Sequence, residues 1–473
     1  MRKRSPWLTT PSFGRRSSAL SRGRSSRAST TSTTAHTTRT RRPNGGASLG
    51  PNIPDPMVPV GQPPAALYNP VFDTFLCKIA SRCNLDCSYC YMYHLADQSW
   101  LRRPRFMSET TVGDFARRLA EYAIQLQLPR ATVLLHGGEP LLAGRQRLSA
   151  FVGRVRAEMS LAPSCRVEFA MQTNGTLLDR DWLRVLSDLD VTFGISLDGG
   201  RSANDRCRLD HAGASSYDRV REALDLVAST EEGRQQFRGL LAVIDLRNDP
   251  LETFEALRSL NPPRLDFLFP DATHDAQPFR PASGETSVAY GEWLVRIFDV
   301  WFENPGTTRM RLFENILDLV LGGQSQTEGV GEGRFNLLTI ETDGEIEDVD
   351  IFKSAFHGAA SLIVLGHATP NVSTHSFHEV SRTPTARDRQ RLHSNAGLCD
   401  TCRRCPVGKI CGGGIASHRF SAARGFDNPS VYCRDLYRLI THVGTRVGLS
   451  LQPLLTEGLV RLAGAYATGG SWK

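Results

Sequence analysis

No stretch of this 473-residue sequence holds the roughly 18 consecutive apolar residues that a membrane-spanning helix needs, so no membrane segment is expected. Acidic residues are missing from the first 50 positions, where eleven of the chain's 56 Lys and Arg residues lie. The remainder carries 45 basic against 49 acidic residues and offers no nucleic-acid footprint. Periodic apolar positions are missing from the same segment, and residues 43–70 are rich in Pro and Gly. Residues 1–70 therefore read as disorder and linker, or as an extension ahead of a start at Met57. Arg15-Arg16 is not followed by a hydrophobic run, so a twin-arginine signal is not expected. Cysteine is absent between Cys207 and Cys399. Eight of the eleven cysteines fall in two tight groups and the outlier Cys433. In so long a chain that clustering argues against a disulfide framework and for a reducing cytoplasm. Cys77, Cys165 and Cys207 read as ordinary apolar residues.

What is present is an ordinary globular composition, 40% apolar and 22% charged, in a chain long enough for two folded parts. Strand patterns at Phe72–Ala80, Ala131–His136, Arg166–Gln172, Val191–Leu197, Arg238–Ile244 and Leu265–Phe269 alternate with helical patterns at Ser108–Leu128, Gln146–Met159, Arg180–Leu189, Tyr217–Ser229 and Leu251–Leu260. Ser108 is the expected N-cap of the first helix. Strands that each feed a helix through a short loop predict a parallel α/β sheet, curled as a partial (β/α)6 barrel. Chemistry in such sheets gathers at the strands' carboxyl ends. Helices at Val288–Glu303 and Arg311–Leu321 lead out of the barrel. A hairpin follows, Leu337–Glu341 and Glu345–Val349 around Asp343-Gly344, and residues 351–398 read as irregular. The expected division is 1–70, a core domain 71–305, a cysteine-rich domain 306–440 and a tail 441–473.

Cys83, Cys87 and Cys90 stand in the spacing C-x3-C-x2-C on the loop after the first strand. Three thiolates there can hold three corners of a cubic iron–sulfur cluster. A cluster normally takes four cysteines, so one iron is left open. Zinc is the alternative, although it prefers paired knuckles closed by two further ligands, and no second pair lies near. The spacing resembles that of the radical S-adenosylmethionine (SAM) enzymes, and the resemblance runs from about Val71 to Cys433. It implies that SAM chelates the open iron of a [4Fe-4S] cluster and is cleaved to a 5′-deoxyadenosyl radical.

On the same resemblance, Gly137, Gly138 and Glu139 of a GGEP turn match the motif that holds the amino group of SAM. Gln172 and Asn174, and Ser196 and Asp198, match positions lining its ribose and methionyl parts, with plain Asx turns as the alternative. Tyr89 matches the aromatic beside adenine, or packs the loop. Arg208 either pairs with the SAM carboxylate or makes a surface salt bridge.

Cys399, Cys402, Cys405, Cys411 and Cys433 resemble the SPASM extension of peptide-modifying members. The resemblance implies one auxiliary [4Fe-4S] cluster on Cys402, Cys405, Cys411 and Cys433, with zinc on the same cysteines as the alternative and Cys399 as a spare thiol. Val349 and Ile415 stand where two ligands of a second, inner cluster would be, so that cluster is expected to be absent. Asp350 matches a base that deprotonates the radical-bearing substrate, or is a structural carboxylate.

The strings Ala96-Asp-Gln-Ser-Trp100, Ile340-Glu-Thr-Asp-Gly-Glu-Ile-Glu347 and Gly425-Phe-Asp-Asn-Pro-Ser-Val-Tyr-Cys433 look like the FxsB-type maturases. That likeness implies cyclophane cross-linking of a short ribosomally made precursor peptide, with a ferredoxin or flavodoxin as electron donor. The alternatives are formylglycine formation as in sulfatase maturation, thioether formation, and a non-catalytic iron–sulfur or zinc adaptor. His375-Ser-Phe-His378-Glu379 lacks the H-E-x-x-H order of a metalloprotease.

Overall fold

A computed structural model describes residues 69–281, 287–325, 327–363 and 369–448. The expectations for residues 1–68 and for 449–473 lie outside the described residues. Six strands form the parallel core: β1 (Thr74–Ala80), β2 (Arg130–Gly137), β3 (Arg166–Thr173), β4 (Val191–Ser196), β5 (Phe237–Val243) and β6 (Leu265–Leu268). Each pairs in parallel with its sequence neighbour, in registers such as Phe75 to Val133, Val133 to Phe169 and Phe169 to Val191. Their β-branched and aromatic residues alternate between the interior and the surrounding helices, as in β2, where every second side chain is buried. The partial (β/α)6 barrel expected from the periodicity is therefore present.

The longer intervening helices are α1 (Glu109–Leu126), α2 (Arg145–Met159), α3 (Arg180–Asp188), α4 (Tyr217–Ser229) and α5 (Pro250–Arg258). Local chemistry fixes their ends. Ser108 caps α1 by accepting from the Thr111 amide, and Asp179 caps α3 from Trp182. Asp249 accepts from Leu251 and Glu252, with Pro250 at the first helical position of α5. Phe115, Leu119 and Tyr122 form the buried face of α1 against the sheet.

Beyond the barrel run α6 (Ala289–Glu303), α7 (Arg311–Val320) and the short hairpin β7 (Leu337–Ile340) and β8 (Ile346–Glu347). Here the structure adds what local pattern did not contain. β7 pairs in parallel with β1, Cys77 opposite Ile340, so the hairpin extends the barrel sheet to eight strands in the order β6-β5-β4-β3-β2-β1-β7-β8. Arg103 clamps the hairpin through Asp343, Glu345 and Glu347.

The stretch expected to be irregular contains two helices, α8 (Phe377–Ser381) and α9 (Pro384–His393). A full capping box of Ser376 and Glu379 starts α8, and Thr383 with Pro384 starts α9. The polar sequence of α9 shows no apolar stripe, which is why periodicity passed over it. A last helix, α10 over 433–448, continues past residue 440 and buries Leu436, Leu439, Ile440 and Val443 in the core. Among the described residues no helix is long and apolar enough to cross a membrane.

Candidate functional site

The loop bearing Cys83, Cys87 and Cys90 leaves the carboxyl end of β1 and is tied across the barrel mouth. The amide of Asp86 donates to the Leu209 carbonyl at 2.8 Å, and that of Ser88 to Cys207 at 3.1 Å. Gly137 and Gly138 end β2 directly beneath it. A Cβ on Gly137 would lie 1.9 Å from the Ala80 carbonyl oxygen, and one on Gly138 would lie 2.4 Å from the Arg82 carbonyl carbon. Only glycine allows this approach, so both residues serve at least to seat the cysteine loop. All three thiols are partly buried and none is disulfide-bonded. Burial, with Glu139 nearby, pushes the Cys83 thiol up to about 12, and burial likewise raises Cys87 and Cys90. Without iron they are protonated, and metal binding releases those protons.

Glu139 is buried with both oxygens engaged. Oε1 accepts from the Thr173 hydroxyl at 2.7 Å and the Leu141 amide at 3.0 Å, and Oε2 from the Asn174 amide at 2.8 Å. It thus joins the ends of β2 and β3. Asn174 turns its side-chain amide to Asn84 at 2.9 Å and toward the Cys83 sulfur at 3.7 Å, and Gln172 donates to the Ser196 hydroxyl at 2.8 Å.

Tyr89 is not mere loop packing. Its hydroxyl donates to Asp198 at 2.7 Å and accepts from Arg208 at 2.7 Å. Nor does Arg208 lie in a surface salt bridge: it is 5% exposed, and its Nε is buried without a partner. A buried guanidinium whose bonded neighbour is a tyrosine hydroxyl suits an anionic ligand. The cavity beside it is lined by Ser88, Tyr89, Asp198, Val243 and Tyr290. The carboxylate and nucleoside of SAM fit this arrangement.

Asp350 starts a single 3-10 turn after the hairpin, and the pairing of β7 with β1 brings it to the mouth. It is 4% exposed. One oxygen, Oδ2, takes all of its contacts: the Tyr91 hydroxyl donates at 2.6 Å, Lys78 Nζ lies at 3.3 Å and His136 Nδ1 at 3.9 Å. Among the described residues Oδ1 has no hydrogen-bond partner. Burial raises this carboxyl, but Lys78, His136 and the Tyr91 bond outweigh it and leave its pKa below the ordinary value. Burial lowers His136, whose Nδ1 has no hydrogen bond.

Lys78, Tyr91 and His136 were not marked as site residues in the sequence. The available signal was Lys78, a lone charge inside the apolar strand TFLCKIA. Lys78→Met removes a fully buried cation that also pairs with Glu341 at 2.9 Å. Losing one partner of a buried pair should cost about 3–5 kcal/mol in chemical denaturation. It should also raise the Asp350 pKa. A depressed carboxyl is ionised until pH falls through its folded pKa, so the acid limb of product formation should move to higher pH in this variant. An unmoved limb would show that Lys78 does not set the charge of Asp350.

The structure brings the second cysteine group together. Cys402, Cys405, Cys411 and Cys433 line one cavity with Val407, Gly408 and Tyr437. Burial pushes the Cys411 thiol up to about 11 and raises Cys433. Four cysteines around one largely apolar space suit a [4Fe-4S] cluster. Cys399 is 2% exposed and packs with Leu398 and Cys402 rather than lining that cavity. Val349 and Ile415 do meet, in a separate pocket with Phe352, His393 and Arg419. No cysteine lines that pocket, and a second auxiliary cluster does not fit there. Among the described residues no three His, Cys, Asp or Glu side chains are grouped to hold one metal ion.

The family described as the Radical SAM superfamily matches residues 77–230. The chain is 22% identical over 364 residues to the cysteine-type anaerobic sulfatase-maturating enzyme of Clostridium perfringens (strain 13), covering 75% of this chain and 92% of the relative. It is 21% identical over 396 residues to the serine-type anaerobic sulfatase-maturating enzyme of Bacteroides thetaiotaomicron, covering 80% and 91%. The structure of native anSMEcpe with bound AdoMet and peptide superposes with a TM-score of 0.68 at 21% identity, covering 80% of this chain and 99% of that one. These likenesses overturn the cyclophane-forming, FxsB-type reading. The matched relatives are named for sulfatase maturation, and the short strings that suggested otherwise span only a small part of the chain. The C-x3-C-x2-C loop, the buried Arg208 cradle and the family match agree: the chain is a radical SAM oxidoreductase that uses a [4Fe-4S] cluster and SAM.

Proposed function

We propose that the protein oxidises a Cys or Ser side chain of a peptide substrate to a formylglycine aldehyde; its relatives are named cysteine-type and serine-type anaerobic sulfatase-maturating enzymes. The observation that carries this reading is Asp350, buried at the barrel mouth, held ionised, with one oxygen free. Converting a serine CH2OH to CHO removes one hydrogen atom from carbon, one proton and one electron. A cysteine gives a thioaldehyde, which water converts to the same aldehyde with loss of hydrogen sulfide. SAM and the cluster held by Cys83, Cys87 and Cys90 would supply the hydrogen-atom abstraction, and a cluster on Cys402, Cys405, Cys411 and Cys433 would supply an acceptor for the electron.

The chain's own residues do the rest. Cys83, Cys87 and Cys90 hold the first cluster, and Arg208, oriented by Tyr89 and Asp198, receives the SAM carboxylate. Asp350 takes the substrate proton on Oδ1, while Tyr91 and Lys78 fix Oδ2. Cys402, Cys405, Cys411 and Cys433 hold the single auxiliary cluster, a departure from members with two. A ferredoxin or flavodoxin is the proposed electron donor. Eleven free cysteines suit a reducing, cytoplasmic setting.

The test is anaerobic incubation of the reconstituted protein with SAM, a reductant and a sulfatase-derived peptide carrying one Ser or Cys. The serine peptide should lose two hydrogens and become reactive to hydrazide, with matching release of 5′-deoxyadenosine. 5′-Deoxyadenosine released beside unchanged Ser and Cys peptides would contradict the reading.

A further inference from the structure

Arg419 closes the short turn Ala416–Arg419 that follows Gly412-Gly413-Gly414, and it is 2% exposed. A guanidinium offers five N–H donors. Here Nη2 donates to the Leu392 carbonyl at 2.9 Å, while Nε and Nη1 are buried without a partner. No carboxylate pairs with it among the described residues. Burial pushes its pKa down, and the groups pushing it back up are Cys402, Cys399 and Cys411. A buried cation with no counter-charge is strongly unfavourable, so the site calls for an anionic partner.

The surroundings say on which side that group sits. A Cβ on Gly413 would lie 3.6 Å from Arg419 Nη1, and Gly413 is a wall of the cavity that Cys402, Cys405, Cys411 and Cys433 line. The unpartnered Nη1 is therefore one glycine away from the four-cysteine space. Arg419 also lines the pocket of Val349, Ile415 and His393, whose acidic lining residue, Glu328, forms no ion pair with it among the described residues. Asp348 faces Arg389 at 3.3 Å and His393 at 3.6 Å. Burial raises Glu328, and the cations acting on it are His393 and Arg311.

We propose that Arg419 is the fixed counter-ion of the auxiliary cluster, its free Nη1 facing the four-cysteine space across Gly413, and that it raises the cluster's reduction potential. A cubane held by four thiolates carries net negative charge, which grows by one when it takes up one electron. A fixed cation and N–H donors at the sulfurs stabilise the more negative form, and no proton need accompany the electron. The arginine thereby makes the site a better acceptor, whichever peptide supplies the electron.

The test uses the full-length chain with Cys83, Cys87 and Cys90 replaced by alanine, so that only the auxiliary set is loaded, with about four irons per chain. Reduction is followed by EPR during redox titration. Arg419→Met should weaken the equilibrium for reduction at least tenfold, a fall of about 59 mV or more for one electron, and Arg419→Lys, which keeps the charge, should fall less. Should Arg419→Met fail to load iron, the neutral Arg419→Gln should show the lowered potential instead. A structural arginine would alter iron loading or melting without moving the potential of the loaded molecules. An unchanged potential in a loaded, neutral variant overturns the assignment.

Discussion

Replacing Cys83, Cys87 or Cys90 by alanine is expected to abolish cleavage of SAM altogether. Each supplies one of three sulfurs to a cluster that already lacks a fourth cysteine, so no spare ligand takes its place. Cys207, which lies against this loop, is buried and uses its carbonyl to anchor it through Ser88. The fold should survive, because that loop is held chiefly by backbone bonds from Asp86 and Ser88 and by the Glu139 network. Circular dichroism and melting should match the parent, while anaerobic incubation with SAM and reductant should release no 5′-deoxyadenosine. Any retained turnover after reconstitution would mean that the iron is held elsewhere.

Asp350→Asn is the second large effect, and it separates two steps that the cysteine variants lose together. A positioned general base contributes about 100-fold to 10,000-fold, so oxidised peptide should fall by about two orders of magnitude or more. Release of 5′-deoxyadenosine should change only by a small factor, because Arg208, Tyr89 and Asp198 are untouched. The amide keeps the shape, and its oxygen can still accept from Tyr91. In the parent, the depressed Asp350 pKa predicts product formation that holds steady as pH falls from neutrality toward the carboxylate range. Equal losses of product and of 5′-deoxyadenosine would give Asp350 a role in holding SAM or the fold instead of in proton transfer.

The barrel was legible because its signals are local. Alternating burial along β2, the Ser108 cap and the Asp249-Pro250 start all act within a few residues. The cysteine loops were legible because ligand spacing is written along the chain. What escaped depends on contacts between distant segments. The parallel pairing of β7 with β1 joins residues more than 250 positions apart, and it alone brings Asp350 to Lys78, Tyr91 and His136. The burial of Arg208 and Arg419 was equally unreadable, since a lone arginine in a polar string looks solvated until the fold closes over it. Helix α9 escaped for the opposite reason, its stability resting on Thr383 and Pro384 at its start and not on an apolar face. The choice between peptide chemistries failed because short strings carried it, where similarity over most of the chain pointed elsewhere.

Iron content of the anaerobically reconstituted chain tests the arrangement of cofactors most directly. Two four-iron cubanes, one on Cys83, Cys87 and Cys90 and one on Cys402, Cys405, Cys411 and Cys433, predict about eight irons per chain. About twelve would require a cluster in the pocket that Val349 and Ile415 fill, and zinc in place of iron would contradict the account outright.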